Sequence, residues 1–94
     1  MKLTFEWDEM KAKGNFKKHK VNFNEAKTIF NDPFLLTFPD PIHFETEHRF
    51  INIGISAKGR ILVVIHTERE KNIRIISCRK ATKKEHKIYK EGEF

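Results

Sequence analysis

EHRFINIGISAKGRILVVIHTEREKNIRIISCRK, residues 47–80, decides the fold. It contains three β runs, roughly 47–56, 60–68 and 72–80, joined by two short turns, which predicts an antiparallel meander. Ser56-Ala57-Lys58-Gly59-Arg60 has the pattern of a three-residue hairpin loop with Gly59 in the left-handed position, pairing Ser56 with Arg60. A second turn centred on Glu70 and Lys71 pairs Arg69 with Asn72. Because successive side chains point to opposite faces, these two registers sort the sheet. One face carries Ile51, Ile53, Ile55, Ile61, Val63, Ile65, Ile76 and Cys78, and is expected to lie under the helices. The other carries Phe50, Asn52, Ser56, Arg60, Leu62, Val64, His66, Ile73, Ile75, Ser77 and Arg79. It is mixed, and its polar members gather at one end.

Outward from the meander, the signals are those of helix ends. Residues 3–7 read as a short strand, and Asp8 as the N-cap of a helix over roughly 9–18. Asn22 and Glu25 have capping-box spacing, with Val21 and Ala26 as a hydrophobic staple. Ile29 and Phe30 face inward, and Asn31-Asp32-Pro33 stops the helix. Residues 34–38 read as a strand, broken by Pro39-Asp40-Pro41. Thr82 and Glu85 form a second capping box, and Gly92 is placed as a C′ residue. The predicted order is β-α-α-β-β-β-β-α. The fold class is α+β, an antiparallel sheet with helices packed on one face.

Ninety-four residues are expected to form one domain, 1–94. Nine Phe and 38% apolar residues argue for a core. A net charge of +6 and a pI near 9.6 suit a polyanionic partner, although a charged surface also serves solubility alone. Cys78 is the one cysteine, so an internal disulfide is excluded, and its apolar strand predicts a buried small hydrophobe. The N-terminus lacks an apolar signal-peptide core, and no apolar run approaches the ~20 residues of a membrane span. A cytoplasmic protein without membrane contact is expected. No Gly-rich phosphate loop or nucleophile elbow is present, and the five histidines show no metal-ligand spacing, so no cofactor or metal is expected.

The predicted register brings Arg60 and Arg79 together on a rigid sheet, beside Asn52, Ser56 and Ser77, with Lys80 and Lys83 at the start of the last helix. Paired guanidinium groups match phosphate oxygens bidentately. His66, on the same face, is a proton shuttle in this reading or, more blandly, a satisfied strand residue. Lys18 grips a flanking phosphate, and His19 either reaches the site or caps its helix. Glu47, Arg49, Glu68, Arg69 and Arg74 fall roughly 20 Å away at ~3.4 Å per residue, as ion pairs or a partner surface.

Three segments together resemble the BrnT family of toxins, a relative of the RelE fold: FEWDEMKAKGNFKKHKVNFNEAKTIFNDP (5–33), HRFINIGISAKGRILVVIHTER (48–69) and IRIISCRKATKKEHKIY (73–89). The resemblance combines the E-W-D start, N-x-x-K-H, D-P, G-x-S-x-x-G-R and I-R-I-I-S-x-R-x-A. It implies a RelE-like toxin domain, RNA as substrate, a ribonuclease activity that arrests translation, and a cognate ribbon-helix-helix antitoxin (BrnA-like) that carries operator-DNA binding. By position it assigns cutting roles to Arg60, Arg79 and Tyr89. Metal-independent cleavage by 2′-OH attack follows from that reading. A non-catalytic nucleic-acid-binding module and a protein-interaction module are the alternatives. Lys20 departs from the family pattern, where Gly follows K-H.

Overall fold

A computed structural model describes residues 3–92. The chain runs through β1 (Thr4–Glu6), α1 (Glu9–His19), α2 (Phe23–Ala26), a 3-10 segment (Lys27–Asn31), β2 (Leu36–Pro39) and α3 (Phe44–Glu47). It continues through β3 (Phe50–Ile55), β4 (Ile61–Arg69), β5 (Asn72–Lys80) and α4 (Lys83–Glu91). The helix ends follow from local chemistry. The Asp8 carboxylate accepts from Met10 N and Lys11 N, and Asn22 Oδ1 accepts from Glu25 N. The Thr82–Glu85 box is reciprocal, and Gly92 closes α4 at φ 73°. Lys20 ends α1 at φ 61°, a left-handed position that suits glycine.

The strands form one five-stranded sheet in the order β1-β5-β4-β3-β2. The meander is antiparallel as predicted, but β1 pairs with β5 in parallel, through Thr4–Asn72 to Glu6–Arg74, so the sheet is mixed. A short helix, α3, also precedes β3 where the sequence predicts strand from residue 47. Both predicted turns hold: Ser56 N donates to Arg60 O across the Gly59 loop, where Gly59 has φ 80°, and Arg69 pairs with Asn72.

The register between those turns is not uniform. From Arg69–Asn72 to His66–Ile75 the pairing follows the turn, but Ile65 then pairs with Ser77. Ile76 is thus an extra residue, a β-bulge. Beyond it Val64 pairs with Cys78 and Val63 with Arg79. The expected faces are corrected accordingly: Cys78 joins Leu62 and Val64, and Arg79 moves to the face of Ile53 and Val63.

The assignment of the covered face is corrected as well. The main core packs Val21, Phe23, Ala26 and Ile29 against Leu62, Val64, Ile73, Ile75 and Cys78. So α2 and the 3-10 segment cover the mixed face, while α4 contacts β3 from the other, and the helices do not share one side. Polar residues fit the covered face because they satisfy one another: Asn52 Nδ2 donates to Val64 O and bonds His66 Nδ1, and Asn52 Oδ1 accepts from Thr37. Gly54 permits the close approach, since a Cβ there would meet Leu35 Cδ1 at 2.8 Å and Ile29 Cβ at 3.2 Å. At the far edge, α1 runs along β5 beyond the end of β1. Asn15 stands in for a strand, donating to Cys78 O and accepting from Cys78 N. Cys78 is buried, which pushes its thiol up to about 11.

Candidate functional site

The expected site is dispersed by this architecture. Arg60 follows the helix-covered face and bonds Glu25 of α2 through two nitrogens, and Ser56 Oγ donates to the same carboxylate at 2.7 Å. The Glu25 side chain is 3% exposed, so Arg60 is the counter-ion of a buried carboxylate. Its guanidinium hydrogen bond holds the Glu25 carboxyl below its usual range. Arg79 sits on the opposite face and forks onto Glu85, at 2.7 and 2.9 Å, lowering that carboxyl to about 2. The two arginines therefore do not converge. Asn52, Ser56 and His66 are interior groups, whereas Ser77 shares with Arg79 the face on which α4 lies. Lys18, Lys80 and Lys83 are exposed, and His19 is half-buried at the end of α1. Tyr89 donates its hydroxyl to Asp32 Oδ2 at 2.5 Å. Burial and that carboxylate push the phenol up to about 12, which leaves it neutral at physiological pH.

Charge gathers instead at the other end of the strands. A cleft of about 320 Å³ is lined by Lys11, Glu47, Arg49, Thr67, Glu68, Arg69, Arg74 and Ile76. Two neighbouring strands, β4 and β5, supply these residues together with α1 and the junction between α3 and β3. Thr67 and Arg74 are register partners across β4 and β5. Arg74 is also tied to β1 through Glu6 at 2.8 Å. Arg49 pairs with Glu47, and both are partly in solvent. The Arg69 side chain has no hydrogen bond or salt bridge among the described residues, though its charge helps lower the Glu6 carboxyl. Lys11 reaches the cleft because α1 lies along the β5 edge.

A polar chain on the covered face runs from the core to the rim of the cleft. His66 Nε2 lies 3.2 Å from Glu68 Oε2, and the His66 ring, 2% exposed, stacks on Phe50 and meets Phe30 edge-on. Asn52 Nδ2 is a donor, so His66 Nδ1 accepts and Nε2 carries the hydrogen toward Glu68. Burial lowers the His66 pKa, with Glu68 opposing the shift. The ring is thus neutral at neutral pH, and it orients a carboxylate that is 59% exposed. Chemically, the cleft offers four cations around an anion-sized space, with Glu68 at its rim turned toward His66 on the covered face. Glu47, Arg49, Glu68, Arg69 and Arg74, expected from the sequence to be ion pairs or a partner surface, thus line one cleft, with only Glu47–Arg49 paired internally. The alternation of charged residues at the strand ends was the available signal, while the contribution of Lys11 depends on where α1 docks.

Among the described residues, no group of three or more His, Cys, Asp or Glu is arranged to hold a metal ion, and no helix is long and apolar enough to cross a membrane. Residues 7–85 match a family model described as the ribonuclease toxin, BrnT, of type II toxin–antitoxin systems. The fold is similar to that in a 1.1 Å crystal structure of the Brucella abortus ribonuclease toxin, BrnT, with TM-score 0.69 and 24% identity over 87% of this chain and 100% of that one. At that identity the likeness speaks to the fold. No curated protein sequence matches the chain.

Proposed function

The chain belongs to the BrnT family of ribonuclease toxins of type II toxin–antitoxin systems, and from that premise we propose that it cleaves RNA without a metal, in the cleft between Lys11, Arg49, Glu68, Arg69 and Arg74. The observation that carries this reading is the concentration of Lys11, Arg49, Arg69 and Arg74 in one cleft, with Glu68 at its rim. RNA brings its own nucleophile, the 2′-OH beside the scissile phosphate. Arg49, Arg69, Arg74 and Lys11 hold the phosphate oxygens, where negative charge grows as the pentavalent phosphorane forms. Glu68, exposed at the strand end, swings from its bond with the neutral His66 over the rim to take the 2′-OH proton. The 2′-oxygen bonds to phosphorus and the bond to the 5′-oxygen breaks. A proton delivered from Lys11 or water completes a 5′-hydroxyl product opposite a 2′,3′-cyclic phosphate. His66 is a positioning residue in this scheme. Arg79, Lys80 and Lys83 lie farther along and steer the strand, while Arg60 serves stability.

Membership of a type II pair implies an antitoxin. We propose the ribbon-helix-helix, BrnA-like kind, with operator DNA bound through the antitoxin and arrest of translation as the outcome of cleavage. The test is incubation of the pure protein with RNA in EDTA, with cyclic-phosphate ends identified chemically. Discrete fragments from wild type, and far slower fragment formation from Arg69→Ala or Glu68→Gln, are expected. Binding without fragments would leave a nucleic-acid-binding module instead.

A further inference from the structure

Beside the cleft, on the other side of α1, lies a groove of about 420 Å³ that the reaction above leaves unused. Its floor is aromatic. Trp7 packs edge-on against the buried Phe23, with ring centroids 5.8 Å apart, and its Nε1 donates to Glu9 Oε1 at 3.0 Å. Phe16 borders the same space and is 48% exposed. Its rim is polar: Glu9, Lys13, Asn22 and Asn24. The Asn22 carbonyl oxygen caps α2, while its amide nitrogen and the whole Asn24 side chain have no partner among the described residues.

We propose that this groove holds one unpaired base of the RNA strand that occupies the cleft; the inference rests on the ribonuclease reading. Aromatic faces accept any base by stacking, and single-stranded RNA is recognised by stacking together with hydrogen bonds to base edges. Asn22 and Asn24 offer amide donors and acceptors, and the Glu9 carboxylate accepts from exocyclic amino groups. An aliphatic side chain from a protein partner would instead bury those polar groups unpaired, at a cost. The route is short. Lys11 lines the cleft and Lys13 lines the groove. They are two residues apart on one helix, about 3 Å along its axis. Their side chains leave opposite sides of a helix about 10–12 Å across, so a strand leaving the cleft past Lys11 crosses α1 within a few nucleotides and meets Lys13 with a phosphate and the groove with a base.

Trp7 is the one tryptophan of the chain, so its emission reports occupancy of the groove directly. The probe is a short 2′-O-methyl oligoribonucleotide, which lacks the nucleophile and cannot be cut. Saturable quenching of Trp7 is expected, with abasic substitution of the flanking nucleotide abolishing it. Phe16→Ala, at a half-exposed position, should weaken oligonucleotide binding about 5- to 100-fold, with a thermal melt confirming that it folds. Asn24→Ala should flatten the preference among bases. Normal cleavage of RNA with Trp7 emission unmoved, and with Phe16→Ala unchanged in KM, overturns the groove and leaves the nuclease reading standing. Quenching by the oligonucleotide without cleavage of natural RNA overturns the nuclease reading and upholds the groove. Emission that responds only to the co-purified antitoxin assigns the groove to a protein and overturns the proposal.

Discussion

Arg60 and Arg49 each pair with a glutamate, yet they belong to different kinds of site. Glu25, the partner of Arg60, is buried under α2, whereas Glu47, the partner of Arg49, stands half in solvent. A buried carboxylate cannot release its counter-ion without being left charged in a poor dielectric. An exposed one can, because water takes the arginine's place. The partner's burial, more than the arginine's own exposure, therefore decides which end of the sheet is free to bind phosphate.

The largest expected effect tests that contrast through activity. Arg69→Ala should lower RNA cleavage about 10²- to 10³-fold, measured as kcat/KM on a defined oligoribonucleotide, while Arg79→Ala, already neutralised by Glu85, should lose less than about tenfold. Inverted losses would return the chemistry to the Arg79 end. Stability tests the other arm. Arg60→Ala should cost about 2–3 kcal/mol in a urea titration, less than a fully buried pair because Arg60 itself is 32% exposed. Arg74→Ala, with both partners partly solvated, should cost under about 1 kcal/mol. Equal losses would erase the distinction.

These outcomes turn on features that differ in how visible they are in the chain. The caps at Asp8, Asn22 and Thr82, the Gly59 loop and both turn registers are legible because each is set by residues within a few positions. The Ile76 bulge is not, since it is fixed by packing on both sides of β5. It alone carried Arg79 away from Asn52. The covered face was misjudged for another reason. Counting apolar residues favours Ile51, Ile53 and Ile55, but Asn52, Thr37 and His66 satisfy each other and so can be buried cheaply. Glu25 and Arg60 lie 35 positions apart, and nothing local joins them.

A smaller effect probes the link between core and cleft. Burial lowers the His66 pKa below its ordinary 6.5. Below pH 6.5 the unfolded chain binds a proton that the folded chain resists, so stability should fall as pH drops from there toward the depressed value. Stability should be lower at pH 5.5 than at pH 7.5, seen in urea midpoints, and His66→Gln should remove that slope. Carboxylates contribute only at lower pH. A slope that survives the substitution would detach His66 from this behaviour. The smallest effect lies at the end of α1 away from the cleft. Lys20→Gly should raise stability by about 0.5–1 kcal/mol by relieving a left-handed lysine, with cleavage unchanged.

The bulge at Ile76 also makes β5 a strand in two phases. Residues before it share faces as the Glu70 turn dictates, and residues after it share faces as the Gly59 loop dictates. The cleft and the α4 end can thus change sequence independently, each keeping its own inside and outside. Excising that single residue would leave Ser77 opposite Ile65, Cys78 opposite Val64 and Arg79 opposite Val63, so the ladder would become regular while every remaining side chain kept its face.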